Sequence, residues 1–288
     1  MAARGVAVTR RREHSCVRRR GPDAAARPAM AKRAHIKIGT SGWSYDHWDG
    51  DFYPHEISSA RRLEYYAKRF PTVEINNTFY RTPTEHAVEA WRDEVPDEFA
   101  FAVKGSRFVT HFRKLARARE SVDRFFESVG RLGKKLEVVL WQLPPDMKAD
   151  PELLGRFLAE LPNNGVRHAV EFRDESWLTE ESFCVLREHN AAHVSVSSNQ
   201  MPSNLTVTAD FVYLRFHGTN SYHGAYSHPA LQPWAKFLRE QAEKGVGGYV
   251  YFNNDAEGHA PKDAQRLGEM LGEAAVPWPT IEPGEAAR

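Results

Sequence analysis

From His35 onward, apolar and polar residues alternate in short extended runs, and between those runs apolar residues recur at helical spacing. The extended runs are 35–42 (HIKIGTSG), 72–79 (TVEINNTF), 99–106 (FAFAVKGS), 136–143 (LEVVLWQL), 167–174 (RHAVEFRD), 193–199 (HVSVSSN), 211–218 (FVYLRFHG) and 248–254 (GYVYFNN). Three intervening segments carry a buried stripe at i, i+3, i+4 and i+7: Leu63, Tyr66, Ala67 and Phe70; Leu154, Phe157, Leu158 and Leu161; Leu231, Trp234, Ala235 and Leu238. A period of two alternating with a period of 3.6 predicts βα units and a parallel sheet. Thr82-Pro83-Thr84-Glu85 reads as a capping box with proline at the first helical position, and Asp150-Pro151 opens a helix in the same manner.

The segment from Asn199 to Asp210 breaks the rhythm, because it contains Pro202, has no helical stripe and is too short for a helix with two loops. An irregular crossover is therefore expected between the sixth and seventh strands. Eight strands with crossovers of this kind predict an α/β fold, a TIM-like (β/α)8 barrel, with one outer helix missing or irregular. An open doubly wound sheet would call for GxGxxG or GxxxxGK[ST] after the first strand, and neither is there.

Charge divides the chain. Residues 1–33 hold ten Lys/Arg against Glu13 and Asp23, whereas the remainder is acidic by seven charges. We expect 1–33 to be a disordered basic tail, the residues before Met30 being an over-extended start, followed by one barrel domain at 34–274 and a flexible tail at 275–288. An acidic body gives no bulk support to duplex nucleic-acid binding. With no apolar run of membrane-spanning length and only Cys16 and Cys184, the composition suggests a cytoplasmic protein with no membrane partner.

The alternation of each strand sorts side chains by face. Glu74 and Asn76, Lys104, Glu171 and Arg173, and Tyr213, Arg215 and His217 fall on the barrel interior, with Gln142, Tyr251 and Asn253 assigned there too. A barrel interior is ordinarily apolar, so this set near the strand C-termini is either a structural ion lattice or a site. Two carboxylates against three permanent cations leave about one positive charge, which favours an anion. Arg173 and Arg215 have forks suited to a phosphate or carboxylate, and Glu74 or Glu171 with His217 can transfer protons. The same two glutamates would also suit a glycosidase-like pair.

A divalent ion on Glu74, Glu171 and His217 is the competing arrangement, but the cations oppose it and no HExxH or paired-cysteine motif occurs, so no residue is assigned to a metal. These residues leave the cofactor unknown. Gly39-Thr40-Ser41-Gly42 fails the GxSxG pattern and reads as a tight turn offering N–H groups to an anion. Aromatic residues crowd the expected mouth: Trp43, Tyr45, Trp48, Tyr80 and Trp177, with Tyr222 and Tyr226 on a glycine-containing loop that resembles a lid. Arg107, Arg113, Lys114, Arg117 and Arg119, interleaved with Phe108 and Phe112, suit either a solvated face or a phosphate backbone.

The blocks GTSGWSYDHWDGDFYP, LEYYAKRFPTVEINNTFYRTPT, FAFAVKGSRFVTHFRKL, VVLWQLPP, AVEFRDESW, TADFVYLRFHG with YHGAYS, and YVYFNNDAEGHAPKDAQRL resemble, in order, those of the domain-of-unknown-function 72 family, also called YecE-like. The resemblance spans 36–271 and implies a TIM-like barrel without implying a reaction. The family pattern has a serine where Asn77 stands and an aspartate near Ser197-Ser198, so a carboxylate role at the sixth strand is missing from this chain. The residues favour an enzyme, a hydrolase or isomerase acting on an anionic or phosphorylated small molecule or sugar at the C-terminal face. A nucleic-acid-associated protein, or a metal-dependent nuclease or repair-type enzyme, is the alternative.

Overall fold

The computed structural model describes residues 34–220 and 222–278. Eight parallel strands are arranged β1-β8-β7-β6-β5-β4-β3-β2: β1 (Ile36–Thr40), β2 (Thr72–Ile75), β3 (Ala100–Lys104), β4 (Leu136–Gln142), β5 (Arg167–Glu171), β6 (Ala192–Ser197), β7 (Phe211–Phe216) and β8 (Gly247–Phe252). The last gap closes where Ser41 bridges to Glu74, with Gly42 N–H donating to the Glu74 carbonyl at 2.8 Å. At Gly39 the chains come so close that a Cβ would lie 2.1 Å from the Thr72 carbonyl oxygen, so only glycine fits. The Ser41 N–H donates to the Phe252 carbonyl at 2.8 Å. The GTSG turn thus uses the Ser41 and Gly42 N–H groups, which we expected to meet an anion, to close the barrel.

Seven α-helices lie among the described residues: α1 (Arg62–Ala67), α2 (Glu85–Asp93), α3 (Arg119–Val129), α4 (Pro151–Glu160), α5 (Glu180–Glu188), α6 (His228–Glu243) and α7 (His259–Leu271). The Asp150 cap is as expected, its carboxylate accepting from Leu153 N–H at 2.9 Å with Pro151 behind it. At α2 the cap is Thr84, accepting from Ala87 N–H, so Pro83 precedes the helix and does not open it. Glu85 follows this cap directly and cannot close a capping box from the third helical position.

Residues 198–210 form no helix, as the missing stripe predicts. They are held against the outside of β6 by polar contacts: the Thr208 hydroxyl accepts from His193 N–H and donates to the Ala191 carbonyl, both at 2.7 Å, and Ser195 donates to the Asn204 carbonyl. Outward-facing serine and histidine on β6 thus replace the apolar seam a helix would need.

Two apolar layers result. Val73, Ile75, Val139, Trp141, Val170, Leu214 and Phe216 pack outward against the helices, while Val138, Leu140, Val194, Val196, Tyr213 and Tyr251 fill the barrel interior. The strands end earlier than their apolar pattern suggests, β2 giving way to a 3-10 turn at Asn77–Phe79. The C-terminal boundary at 274 also moves. Ala275 pairs with Ile36, and the Trp278 ring lies 4.9 Å from that of Phe70, so 275–278 belong to the barrel. The expected basic tail lies outside the described residues, as does the remainder of the C-terminal tail.

Candidate active site at the barrel mouth

Parity carries charged side chains into the upper barrel, and the pairing there is specific. Arg215 of β7, 1% exposed, donates through Nη2 to Glu74 Oε1 and through Nη1 to Glu171 Oε2, each at 2.7 Å. Glu74 also accepts from Ser41 Oγ at 2.5 Å and from the Tyr213 hydroxyl at 2.6 Å, while Glu171 accepts from Arg173 Nε. Two carboxylates and two guanidiniums therefore form a neutral lattice. Burial would raise the Glu171 carboxyl, but Arg173 and Arg215 outweigh it and hold the group well below the ordinary carboxylate range. That direction is opposite to the one a general acid needs. Burial likewise opposes the charge on Arg215, and Glu74 and Glu171 more than restore it.

Lys104 stands at the end of β3 without a carboxylate partner among the described residues. The Thr78 hydroxyl donates to the Lys104 carbonyl at 2.7 Å, tying the turn after β2 to this strand end, and the Phe79 ring lies 4.4 Å from Nζ. Among the described residues Nζ has neither an ion pair nor a hydrogen bond. Burial first, and Arg215 next, lower this amine from its usual range to about 7.

His217 follows β7 and is 1% exposed. Asn253 Nδ2 donates to His217 Nδ1 at 3.2 Å, which places the proton on Nε2, a buried atom with no partner among the described residues. Burial, with Arg215 next, pushes the imidazole well below its ordinary range, so it is neutral at neutral pH. Asn76 Oδ1 is likewise buried without a partner among the described residues. Gln142 lies opposite Glu171 in the β4–β5 register and is nearly buried.

The other aromatic candidates separate. Tyr222, 41% exposed, sets its ring edge-on to His217 at 5.1 Å from a left-handed backbone position. Tyr226 packs outward against Phe216 and Phe252, its hydroxyl meeting Ser197 Oγ at 3.0 Å, so it takes no place in the mouth. Trp48 and Trp177 are fully buried packing residues, whereas Tyr80 is exposed. Ser197 turns outward to Tyr226 and Ser198 accepts from Gln200 N–H, so neither joins the lattice.

A cleft of about 640 Å³ opens beside the lattice, lined by Lys148, Arg173, Asp174, Ser176, Asn199 and Pro202 among others. Arg173 is bonded through Nε alone, and its two terminal nitrogens have no hydrogen bond among the described residues. Sequence reasoning assigned Tyr213 to the interior without seeing it as a Glu74 ligand, and missed Ser41 and Phe79. Two-residue alternation along β1 would have found Ser41. No group of three or more His, Cys, Asp or Glu suited to a metal ion occurs among the described residues. Glu74 and Glu171 direct their oxygens at guanidiniums and hydroxyls.

Residues 37–286 match the family described as Protein of unknown function DUF72. The chain belongs to that family. YunF of Bacillus subtilis (strain 168), a UPF0759 protein, is 26% identical over 270 residues, covering 82% of this chain and 94% of that one. YecE of Escherichia coli (strain K12) is 30% identical over 139 residues, 48% of each chain. The crystal structure of a DUF72 family protein from Thermotoga maritima MSB8 superposes with a TM-score of 0.75 at 29% identity, covering 83% of this chain and all of that one. Among the described residues no helix is long and apolar enough to cross a membrane.

Proposed function

We propose that this protein is an enzyme acting on a small oxyanionic substrate, a phosphorylated or carboxylated molecule of sugar size, at the C-terminal mouth of the barrel. The observation that carries this reading is the state of Arg173, whose Nε is fixed by Glu171, whose terminal nitrogens have no hydrogen bond among the described residues, and which lines a cleft. A planar fork held by a buried carboxylate is preorganised for a phosphate or carboxylate. Arg215 is excluded from that task, since both its terminal nitrogens are bonded to glutamates.

Glu74 and Glu171 fix the arginines, which leaves Lys104 and His217 for the chemistry. An amine near neutrality can act on a carbonyl compound as base or as nucleophile, and the His217 Nε2–H can donate a hydrogen bond to the oxygen on which charge develops. This set fits isomerase-type chemistry better than hydrolysis, because both carboxylates of a glycosidase-like pair are engaged by one guanidinium. Thermal denaturation with phosphate or sulfate tests the reading: the expected result is a rise in Tm that Arg173→Ala abolishes. No rise, or a rise unchanged in Arg173→Ala, overturns it. Magnesium and zinc chloride are the controls.

One observation favours a second reading. Tyr80, Phe108 and Phe112 are exposed near the mouth, and Arg107 lies over both the Tyr80 and Phe112 rings at 5.5 and 5.6 Å. Stacked aromatics with arginine suit single-stranded nucleic acid. Oligonucleotide binding that weakens steeply with salt and is lost in Phe108→Ala with Phe112→Ala would favour it.

A further inference from the structure

We propose that Lys104 is the nucleophile of this site, forming a reversible imine with the carbonyl carbon of a substrate that also carries a phosphate or carboxylate. The inference rests on the oxyanion reading above and names the class of molecule that site takes: a 2-oxo acid or a keto phosphate.

Four features place this chemistry on Lys104. It ends β3 on the interior face, at the end of a parallel barrel where side chains from several strands converge. Among the described residues no carboxylate pairs with it: Glu74 and Glu171 are held by Arg215, Ser41, Tyr213 and Arg173 and favour its charge only at a distance. Its ammonium form is disfavoured by burial and by the nearby Arg215, which leaves a substantial fraction as free amine at neutral pH. The Phe79 ring, 4.4 Å from Nζ, limits its solvation; its π face attracts the ammonium, and burial with Arg215 outweighs that attraction. A lysine kept for charge alone would be expected to have an acidic partner.

The surrounding groups supply what imine formation needs. The amine nitrogen attacks the carbonyl carbon as the C=O π bond breaks, and the nitrogen gives up one proton while the carbonyl oxygen gains one, relayed by solvent, to give a neutral carbinolamine. The His217 Nε2–H, buried and without an acceptor among the described residues, is a hydrogen-bond donor to that oxygen as charge develops on it. Loss of the hydroxyl together with the remaining N–H proton as water gives the imine, and addition of water followed by release of the amine reverses the two steps. No oxidant or reductant takes part. The open fork of Arg173 holds the phosphate or carboxylate, which sets the orientation of the carbonyl.

The test is borohydride trapping on the full chain, read by intact mass and by peptide mapping. Pyruvate and dihydroxyacetone phosphate are the two probes, distinguishing carboxylate from phosphate, and acetone is the control without an anion. The expected result is one adduct per chain at Lys104, formed roughly tenfold faster with an anionic probe than with acetone. Arg173→Ala should remove that preference while leaving slow labelling of Lys104. Lys104→Arg, which keeps a cation, should give no site-specific adduct and retain its phosphate-dependent rise in Tm. Labelling spread over surface lysines, or an adduct that persists in Lys104→Arg, overturns the imine. If phosphate raises Tm through Arg173 and no adduct forms on Lys104 with either probe, the imine fails and the oxyanion reading stands. If phosphate has no effect and Lys104 is still trapped with no preference for anionic probes, the oxyanion reading fails, and with it the substrate class inferred here.

Discussion

Glu74 and Arg215 lie 141 positions apart in the chain and meet at 2.7 Å inside the barrel, both essentially without solvent exposure. Arg215 spans from this contact to Glu171, so one guanidinium joins β2, β5 and β7. Removing it leaves two buried carboxylates without the guanidinium they share, Glu171 keeping Arg173 and Glu74 keeping only the Ser41 and Tyr213 hydroxyls. We expect Arg215→Met to destabilise the fold by about 3–5 kcal/mol in urea denaturation. Arg215→Lys should recover little of that, since one ammonium cannot span both carboxylates. A loss under about 1 kcal/mol would show that the lattice is not structural.

Acid should dismantle the lattice in a definite direction. The Glu171 carboxyl titrates below its unfolded value, so its contribution is complete above the unfolded pKa and is lost as the pH falls through the folded one. Glu171→Gln should therefore be less stable than the parent at neutral pH, and the gap should narrow below about pH 4. Parallel denaturant titrations along an acid series check this. A gap that stayed constant would contradict it.

Lys104 has the opposite consequence. Its folded-state value of about 7 is below the unfolded one, so between these values the unfolded chain binds the extra proton and stability increases with pH. Below the lower value the full cost of the partly buried ammonium is present. Lys104→Met should accordingly be more stable than the parent at pH 6, by an amount on the order of 2–3 kcal/mol, with the advantage shrinking towards about pH 10. Equal stabilities at pH 6 would mean that the amine is not penalised.

The end of the described chain should matter to stability. Trp278 packs on Phe70 and covers Gly268 so closely that a Cβ there would meet its ring at 2.6 Å. Trp278→Ala and Gly268→Ala are each expected to cost about 1–3 kcal/mol, the first by removing packing and the second by displacing the ring. Because both act through one contact, the double variant should lose less than their sum. Full additivity in thermal melts would show that the ring does not depend on Gly268.

Arg173 separates binding from folding. It is 12% exposed at its side chain and lies at the edge of the lattice. Arg173→Ala should keep the fold and the circular dichroism spectrum, at a cost of about 1–2 kcal/mol, while losing the phosphate-dependent rise in Tm. Calorimetric titration with phosphate would register the same loss as a vanished binding heat. Retained binding would assign the anion to another group.

Local pattern was enough for the strands, for most of the helix stripes and for the helixless crossover, because the side-chain periods of two and 3.6 follow from backbone geometry within a few residues. It also placed Glu74, Lys104, Glu171, Arg173, Arg215 and His217 on the interior face, since parity along a strand is a local property. Which of them neutralise one another was not local. The Arg215 fork could equally have been open to a ligand, and only the spacing of β2, β5 and β7 around the closed barrel decided that both its arms meet glutamates. The same holds for Tyr226, whose position on a polar loop suggested the mouth, while its packing against Phe216 and Phe252 put it outside. The Ser41 and Gly42 N–H groups met barrel carbonyls for the same reason. Sequence determined the direction in which each side chain faces, because that is fixed by its neighbours in the chain. Tertiary structure decided which charges are paired and which are left for chemistry, because Coulomb energy and desolvation depend on distances between strands that are far apart in sequence.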